Sequence, residues 1–240
     1  GYEKRHSLAE TSSFNAIQMV CQLAWEYREL AVIYGNAGIG KTECVLYYAD
    51  TNPDHAVYVK MDVSLTMSEL LNQILKALDE PVSVGTLRGK LEQIMKTLRM
   101  RNRLIIIDEA DLLRIRQLEM LRAIYDDGNC GMVLIGLERI IKIMTRGESL
   151  RENLAQLYSR VGFKRHVLKP TTDDVRKIAQ LRGIELSTPA IKKLQEWIGG
   201  SGELRMLTKI LDRAEMLARA ERKEFDESYL KQAYSLLLGN

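Results

Sequence analysis

The stretch Gly35-Asn36-Ala37-Gly38-Ile39-Gly40-Lys41-Thr42 constrains this chain more than any other. It follows directly on an apolar, β-branched run, Leu30 to Tyr34, and precedes a segment of helical spacing, which makes it the turn from a buried strand into a helix. Glycines there admit backbone conformations closed to other residues. Consecutive N–H groups and the helix N-terminus can then converge on phosphate oxygens. Lys41 is suited to neutralising the outer phosphates of a nucleotide and Thr42 to ligating magnesium, so ATP and Mg2+ are the expected cofactors and all eight residues are candidate contacts.

Further short apolar runs at Ala56 to Met61, Leu104 to Ile107, Met132 to Ile135 and Lys164 to Leu168 alternate with segments of helical period. That order predicts an α/β fold with a mostly parallel sheet and helices on both faces. Leu70, Leu71, Ile74, Leu75 and Leu78 mark one helix, and Leu87, Leu91, Ile94, Met95 and Leu98 another, with Pro81 and Gly85 between them. Beyond Pro170 only helical period remains. Ser187-Thr188-Pro189 opens a helix, Gly199 to Gly202 closes it, and Leu207, Ile210, Leu211, Ala214 and Leu217 form the apolar stripe of the next. The expected division is a nucleotide-binding domain with a helical lead-in over 1–169 and a small helical domain over 170–240.

The third run delivers Asp108-Glu109-Ala110-Asp111 to the C-terminal edge of the sheet, where open α/β sheets bind their ligands. Asp108 is suited to holding the metal through water, and Glu109 to taking a proton from an attacking water. Asp111 reads as a helix-start charge favoured by the macrodipole. Composition excludes several other classes. The three cysteines lack ligand spacing or pairing partners, arguing against a zinc site or disulfide framework, and no window of uncharged apolar residues is long enough to cross a bilayer. The chain therefore reads as a soluble, cytoplasmic protein without a secretory signal. A net charge of +3 permits contact with a phosphate backbone without demanding it.

With GNAGIGKT, IIIDEAD, Ser159-Arg160-Val161-Gly162 and Gly202-Glu203-Leu204-Arg205, the chain resembles an AAA+ ATPase over nearly its whole length. More narrowly it is similar to the MuB, TnsC and TniB group of DNA transposition regulators, from Leu121 to Asp126, Cys130 to Gly136 and Gln156 to Gly162. The resemblance implies a P-loop AAA+ sheet with a C-terminal helical lid. It casts Arg160 as the arginine reaching a neighbouring subunit's nucleotide, with Arg151 a second candidate, and Arg205 as the lid arginine on phosphate. Lys41, Glu109, Arg160 and Arg205 are then the catalytic set. Where this group usually places Asn or Thr to sense the γ-phosphate the chain has Leu137, so either Glu138 takes that role or hydrolysis is slow.

The same resemblance implies ATP-bound subunits stacked as a helical homo-oligomer around duplex DNA, held without regard to sequence, that selects the target and activates a transposase, hydrolysis resetting the assembly. It points to Ser64, Leu65, Thr66, Met67 and Ser68 as the segment facing DNA, although Ser64 or Thr66 could simply cap the next helix. Basic clusters at Arg99, Arg101 and Arg103, at Arg114 and Arg116, and at Lys164, Arg165 and His166 are further candidates for phosphate contact. Tyr47, Tyr48 and Trp197 read as packing residues rather than base-stacking ones. A replication-initiator or helicase-loader ATPase and a nucleotide-driven signalling scaffold share the nucleotide site and stay open as alternatives.

Overall fold

Burial decides where the strands fall. The computed structural model describes residues 8–82, 85–145, 157–199 and 203–239. In it β1 (Leu30–Tyr34), β3 (Leu104–Asp108) and β4 (Gly131–Gly136) are closed to solvent almost throughout, as central strands covered on both faces must be. β2 (Ala56–Lys60) and β5 (Val161–His166) are the more exposed edges of a wholly parallel sheet in the order β2-β3-β4-β1-β5. The last strand starts earlier than its apolar run at Lys164 to Leu168 suggests. Its pairing with β1 runs from Val161 to His166, and Leu168 is 65% exposed beyond it. An edge strand open on one side needs no continuous apolar run, so hydropathy misplaces its ends.

Helices α1 (Ser12–Glu26), α2 (Lys41–Thr51), α3 (Met67–Ala77), α4 (Leu87–Met100), α5 (Ile115–Gly128) and α6 (Arg139–Thr145) intervene between or flank the strands. After β5 come α7 (Thr172–Gln180), α8 (Thr188–Trp197), α9 (Glu203–Ala220) and α10 (Ser228–Leu238). The α3 stripe is fully buried: Leu70, Leu71, Ile74, Leu75 and Leu78 enter the same core as Val57, Val59, Ile105 and Ile107. Ser187 caps α8, its hydroxyl accepting the Ala190 N–H, with proline in the first turn as the sequence suggests. Tyr48 is buried and Trp197 stacks on Tyr234 at 4.5 Å, both packing roles.

The chain forms two compact units. One holds residues 16–35 and 41–166; the other joins the N-terminal segment through Asn15, the loop Asn36–Gly40 and everything from Val167 onward. The second unit has its own core of Val175, Ile191, Leu194, Leu207, Ile210, Leu211 and Leu230. Within it the Arg205 N–H donates to the Gly38 carbonyl at 3.0 Å.

Asp174 ties the start of α1 to the start of α7 in that unit. Its carboxylate accepts the Ser12 N–H at 2.7 Å and the Ser12 hydroxyl at 2.8 Å, and closes a capping box with Thr171. Burial alone would raise its pKa, but these donors outweigh burial and hold it below the ordinary aspartate value. The stabilisation is therefore complete above the unfolded value of about 3.9 and is lost as pH falls through the lower folded value. Asp174→Ala is expected to cost about 1–3 kcal/mol at neutral pH. That difference should shrink in acid when urea unfolding is followed over a pH series, and a pH-independent difference contradicts it.

Candidate nucleotide site

The loop after β1 turns through two glycines with φ of +78° at Gly38 and +86° at Gly40, in the left-handed region that side chains avoid. A Cβ on Gly40 would also stand 3.1 Å from Leu204 Cδ1. Asn36 and Ala37 are exposed on the loop while Ile39 is buried and anchors it.

α2 opens with Lys41 and Thr42. Lys41 is buried, and its ammonium donates to the Gly35 carbonyl at 2.9 Å. Burial pulls its pKa below the ordinary lysine value, while Asp108, Glu109 and Asp111 act in the opposite direction. A desolvated ammonium attracts a phosphate more strongly than a solvated one does, whereas the neighbouring carboxylates repel it and call for a cation between them and the phosphate.

Asp108 ends the buried β3 and is 2% exposed. Its Oδ2 accepts the Thr42 hydroxyl at 2.8 Å and the Tyr58 hydroxyl at 2.9 Å, and its Oδ1 the Glu109 N–H at 2.8 Å. Burial and the adjacent Asp108 carboxylate both push the Tyr58 phenol well above its ordinary pKa, so it stays a donor and fixes the carboxylate. Thr42 and Asp108 form a pair of hard oxygen ligands of the kind magnesium takes when phosphates supply the others. Among the described residues no group of three or more His, Cys, Asp or Glu could hold a metal ion.

Glu109, partly exposed, sits in the left-handed region at φ 54°, ψ 35°. For a non-glycine residue that conformation costs on the order of 1 kcal/mol. It ends the strand and starts the single 3-10 turn Ala110–Leu112.

Asp111 sits in the first turn of this 3-10 helix, as a helix-start charge would, and it also makes specific contacts. It is buried, its Oδ1 accepts the Leu137 N–H at 2.9 Å, and its Oδ2 pairs with Arg139 at 2.5 Å. It thus clamps the segment after β3 to the segment after β4. A Cβ on Gly136 would lie 2.5 Å from Asp111 Oδ1, so only glycine ends β4 beside this clamp. Leu137 therefore takes part through its backbone, while Glu138 pairs with His166 at 3.2 Å and His166 stacks on Tyr34.

The remaining sequence candidates are scattered in role. Arg160 donates to Asp126 at 2.6 Å. Arg205 is exposed, with its backbone on Gly38. Arg151, Gln156 and Gly202 lie outside the described residues. Arg103 does not serve as an exposed phosphate contact: it is buried and its guanidinium donates to the Pro53 and Asp54 carbonyls. Arg99 donates to the Asp127 carbonyl, and Lys164 stands 3.7 Å over the Tyr158 ring. Thr66 caps α3 in a capping box with Glu69, and the Ser64 N–H and hydroxyl both donate to Asp62. Met67, Ile115 and the exposed Arg114 and Arg116 line one cavity of about 540 Å³.

A parallel sheet in this order, with a phosphate loop after β1 and carboxylates after β3, defines a P-loop ATPase of the AAA class. The AAA domain family matches residues 24–144, and the Mu B transposition protein C-terminal family matches residues 159–237. The chain belongs to the Mu B family of transposition proteins. It is 32% identical over 244 aligned positions to the ATP-dependent target DNA activator B of Escherichia phage Mu, covering 97% of this chain and 77% of that one. It is 30% identical over 203 positions to the Mu-like prophage FluMu DNA transposition protein B of Haemophilus influenzae, covering 83% and 70%. The fold is shared with Cdc6p of Pyrobaculum aerophilum, with a TM-score of 0.68 at 15% identity over 93% of this chain and 66% of that one. Domain III of Thermotoga maritima DnaA also shares it, with a TM-score of 0.58 at 17% identity over 95% and 93%. The chain binds and hydrolyses ATP. Among the described residues no helix is long and apolar enough to cross a membrane.

Tyr58, Asp111 and Arg139 are the site residues that sequence reasoning misses. Only Asp111 carried a signal, its place in the DEAD run, and that signal does not reveal the partners it meets after β4.

Proposed function

We propose that this chain is an ATP-dependent target-DNA activator. With ATP bound it assembles as a helical homo-oligomer on duplex DNA irrespective of sequence, and the assembly selects target DNA and activates a DNA transposase. Hydrolysis resets it. The observation that carries this reading is membership of the Mu B family, with a relative named ATP-dependent target DNA activator B aligned along 97% of the chain.

The chain's own residues divide the work. Lys41 and the loop N–H groups bind the phosphates, and the Thr42 hydroxyl with the Asp108 carboxylate would hold Mg2+, which screens phosphate charge. Glu109 orients water, and Arg205 follows phosphate from the C-terminal helices. Arg160 completes a neighbouring subunit's site after exchanging Asp126 for γ-phosphate. On the DNA side, Arg114 and Arg116 carry the contact, with Met67 beside them. Ser64 and Thr66 are weaker contributors, because their hydroxyls serve Asp62 and Glu69 and those carboxylates repel a phosphate backbone. A surface of two arginines and apolar neighbours that reads no base edges suits sequence-independent binding.

Sedimentation and negative-stain imaging with a non-hydrolysable ATP analogue, with and without random-sequence duplex at two salt concentrations, test the reading. Filaments that need both ligands and weaken with salt are expected. Oligomers indifferent to DNA would overturn it. Arg160→Ala is expected to raise the ATP concentration needed for assembly by about tenfold or more while monomers still bind nucleotide, since a charge-assisted contact is lost. Unchanged assembly removes Arg160 from the interface.

A further inference from the structure

Gln117 is 2% exposed, yet neither end of its amide is idle. Its Oε1 accepts the Arg114 N–H at 2.9 Å, closing the N-terminus of α5, and its Nε2 donates to the Leu65 carbonyl at 2.9 Å. Leu65 lies in the loop between β2 and α3, the segment read above as facing DNA. The amide is thus pinned by two bonds, and it cannot turn without leaving both unmade.

That loop is anchored to the Asp108–Gln117 segment at further points. The Met61 N–H donates to the Asp108 carbonyl at 2.9 Å, and Arg114 Nη2 reaches the Val63 carbonyl at 3.4 Å. Along the chain, Asp108 and Gln117 are joined by the left-handed Glu109, one 3-10 turn, the extended Leu113 and Arg114, and the start of α5. That turn is closed by the Leu112 N–H to the Glu109 carbonyl at 2.9 Å and the Leu113 N–H to the Ala110 carbonyl at 3.2 Å. This connection is the chain's path from the ATP site to α5's first turn, and Gln117 joins that turn to the loop.

The geometry points to Gln117 as the positioning residue that makes the β2–α3 loop and the ATP site report on one another. This rests on the reading of that loop and of Arg114 and Arg116 as the DNA-facing surface. The side chain lines the same cavity as Arg114 and Arg116, and it acts through the Leu65 carbonyl.

Gln117→Glu separates the two halves of the amide. The carboxylate keeps an acceptor for the Arg114 N–H, so the helix stays capped, but it has no donor for Leu65. Gln117→Met removes both bonds without adding charge. In the full chain, Gln117→Glu is expected to leave ATP affinity and DNA-independent hydrolysis within about twofold of wild type while the stimulation of hydrolysis by duplex DNA falls about tenfold, the factor one lost buried hydrogen bond represents. Gln117→Met is expected to reduce the stimulation similarly. If either variant folds and responds to DNA as wild type does, the tether is overturned while the DNA reading stands. If the wild-type chain neither binds duplex nor hydrolyses faster with it, the reading fails and the tether falls with it. Should neither variant fold, hydrogen exchange in the wild type decides. The ATP analogue must change protection of the amides over 62–68, and unchanged exchange there overturns the proposal.

Discussion

Replacing Glu109 by Gln is expected to lower ATP hydrolysis by at least about a hundredfold, the contribution a positioned general base makes, while ATP stays bound. Glutamine keeps the size of the side chain, and Asp108 still takes the 109 N–H, so the turn after β3 is preserved. What disappears is the acceptor for the proton of water. The left-handed backbone at 109 directs this residue out of the strand, and a change confined to its head group leaves that geometry alone. Steady-state phosphate release and the lifetime of bound ATP, measured together, check the expectation. A trapped, long-lived ATP-bound assembly is the predicted phenotype, and wild-type turnover would remove Glu109 from the chemistry.

Lys41→Met is expected to weaken ATP binding by about a hundredfold or more, the worth of a pair of charge-assisted hydrogen bonds in a desolvated site. Stability without ligand should change far less. Methionine loses the bond to the Gly35 carbonyl and the attraction to Asp108, Glu109 and Asp111, but it fills similar space and escapes the burial that disfavours the ammonium. The pair of measurements is diagnostic: fluorescent-nucleotide titration should show the loss, and thermal unfolding without nucleotide should show no matching fall. A variant that loses both together would mean that Lys41 holds the loop rather than the phosphates.

Much of this was legible in the sequence because the decisive signals are local. The eight-residue loop and the IIIDEAD run carry their chemistry in consecutive residues, and the burial of α3 follows from a stripe of leucines and one isoleucine. The interactions that surround the site are not local. Tyr58 meets Asp108 across 50 residues, Leu137 meets Asp111 across 26, and Gln117 meets Leu65 across 52. Periodicity says which face of an element is apolar, but it does not say which polar side chain on that face finds which partner on a neighbouring strand. Exposure misled in the opposite sense at Arg103, where a guanidinium in a basic cluster is spent on backbone carbonyls. The edge strand β5 shows the same weakness, since alternating partial exposure leaves little pattern to read.

The phosphate loop belongs to the unit built by the C-terminal helices, with Leu204 beside Gly40 and the Arg205 N–H on Gly38. This limits how such a protein can be divided or recombined. A segment ending near residue 169 would retain every residue of the GNAGIGKT and IIIDEAD signatures, yet it would lack the packing that shapes the loop between β1 and α2. Motif content and modularity therefore part company here. The C-terminal helices are thus part of the surroundings of residues 36–40, and a change at Leu204 or in the backbone at Arg205 alters contacts of that loop.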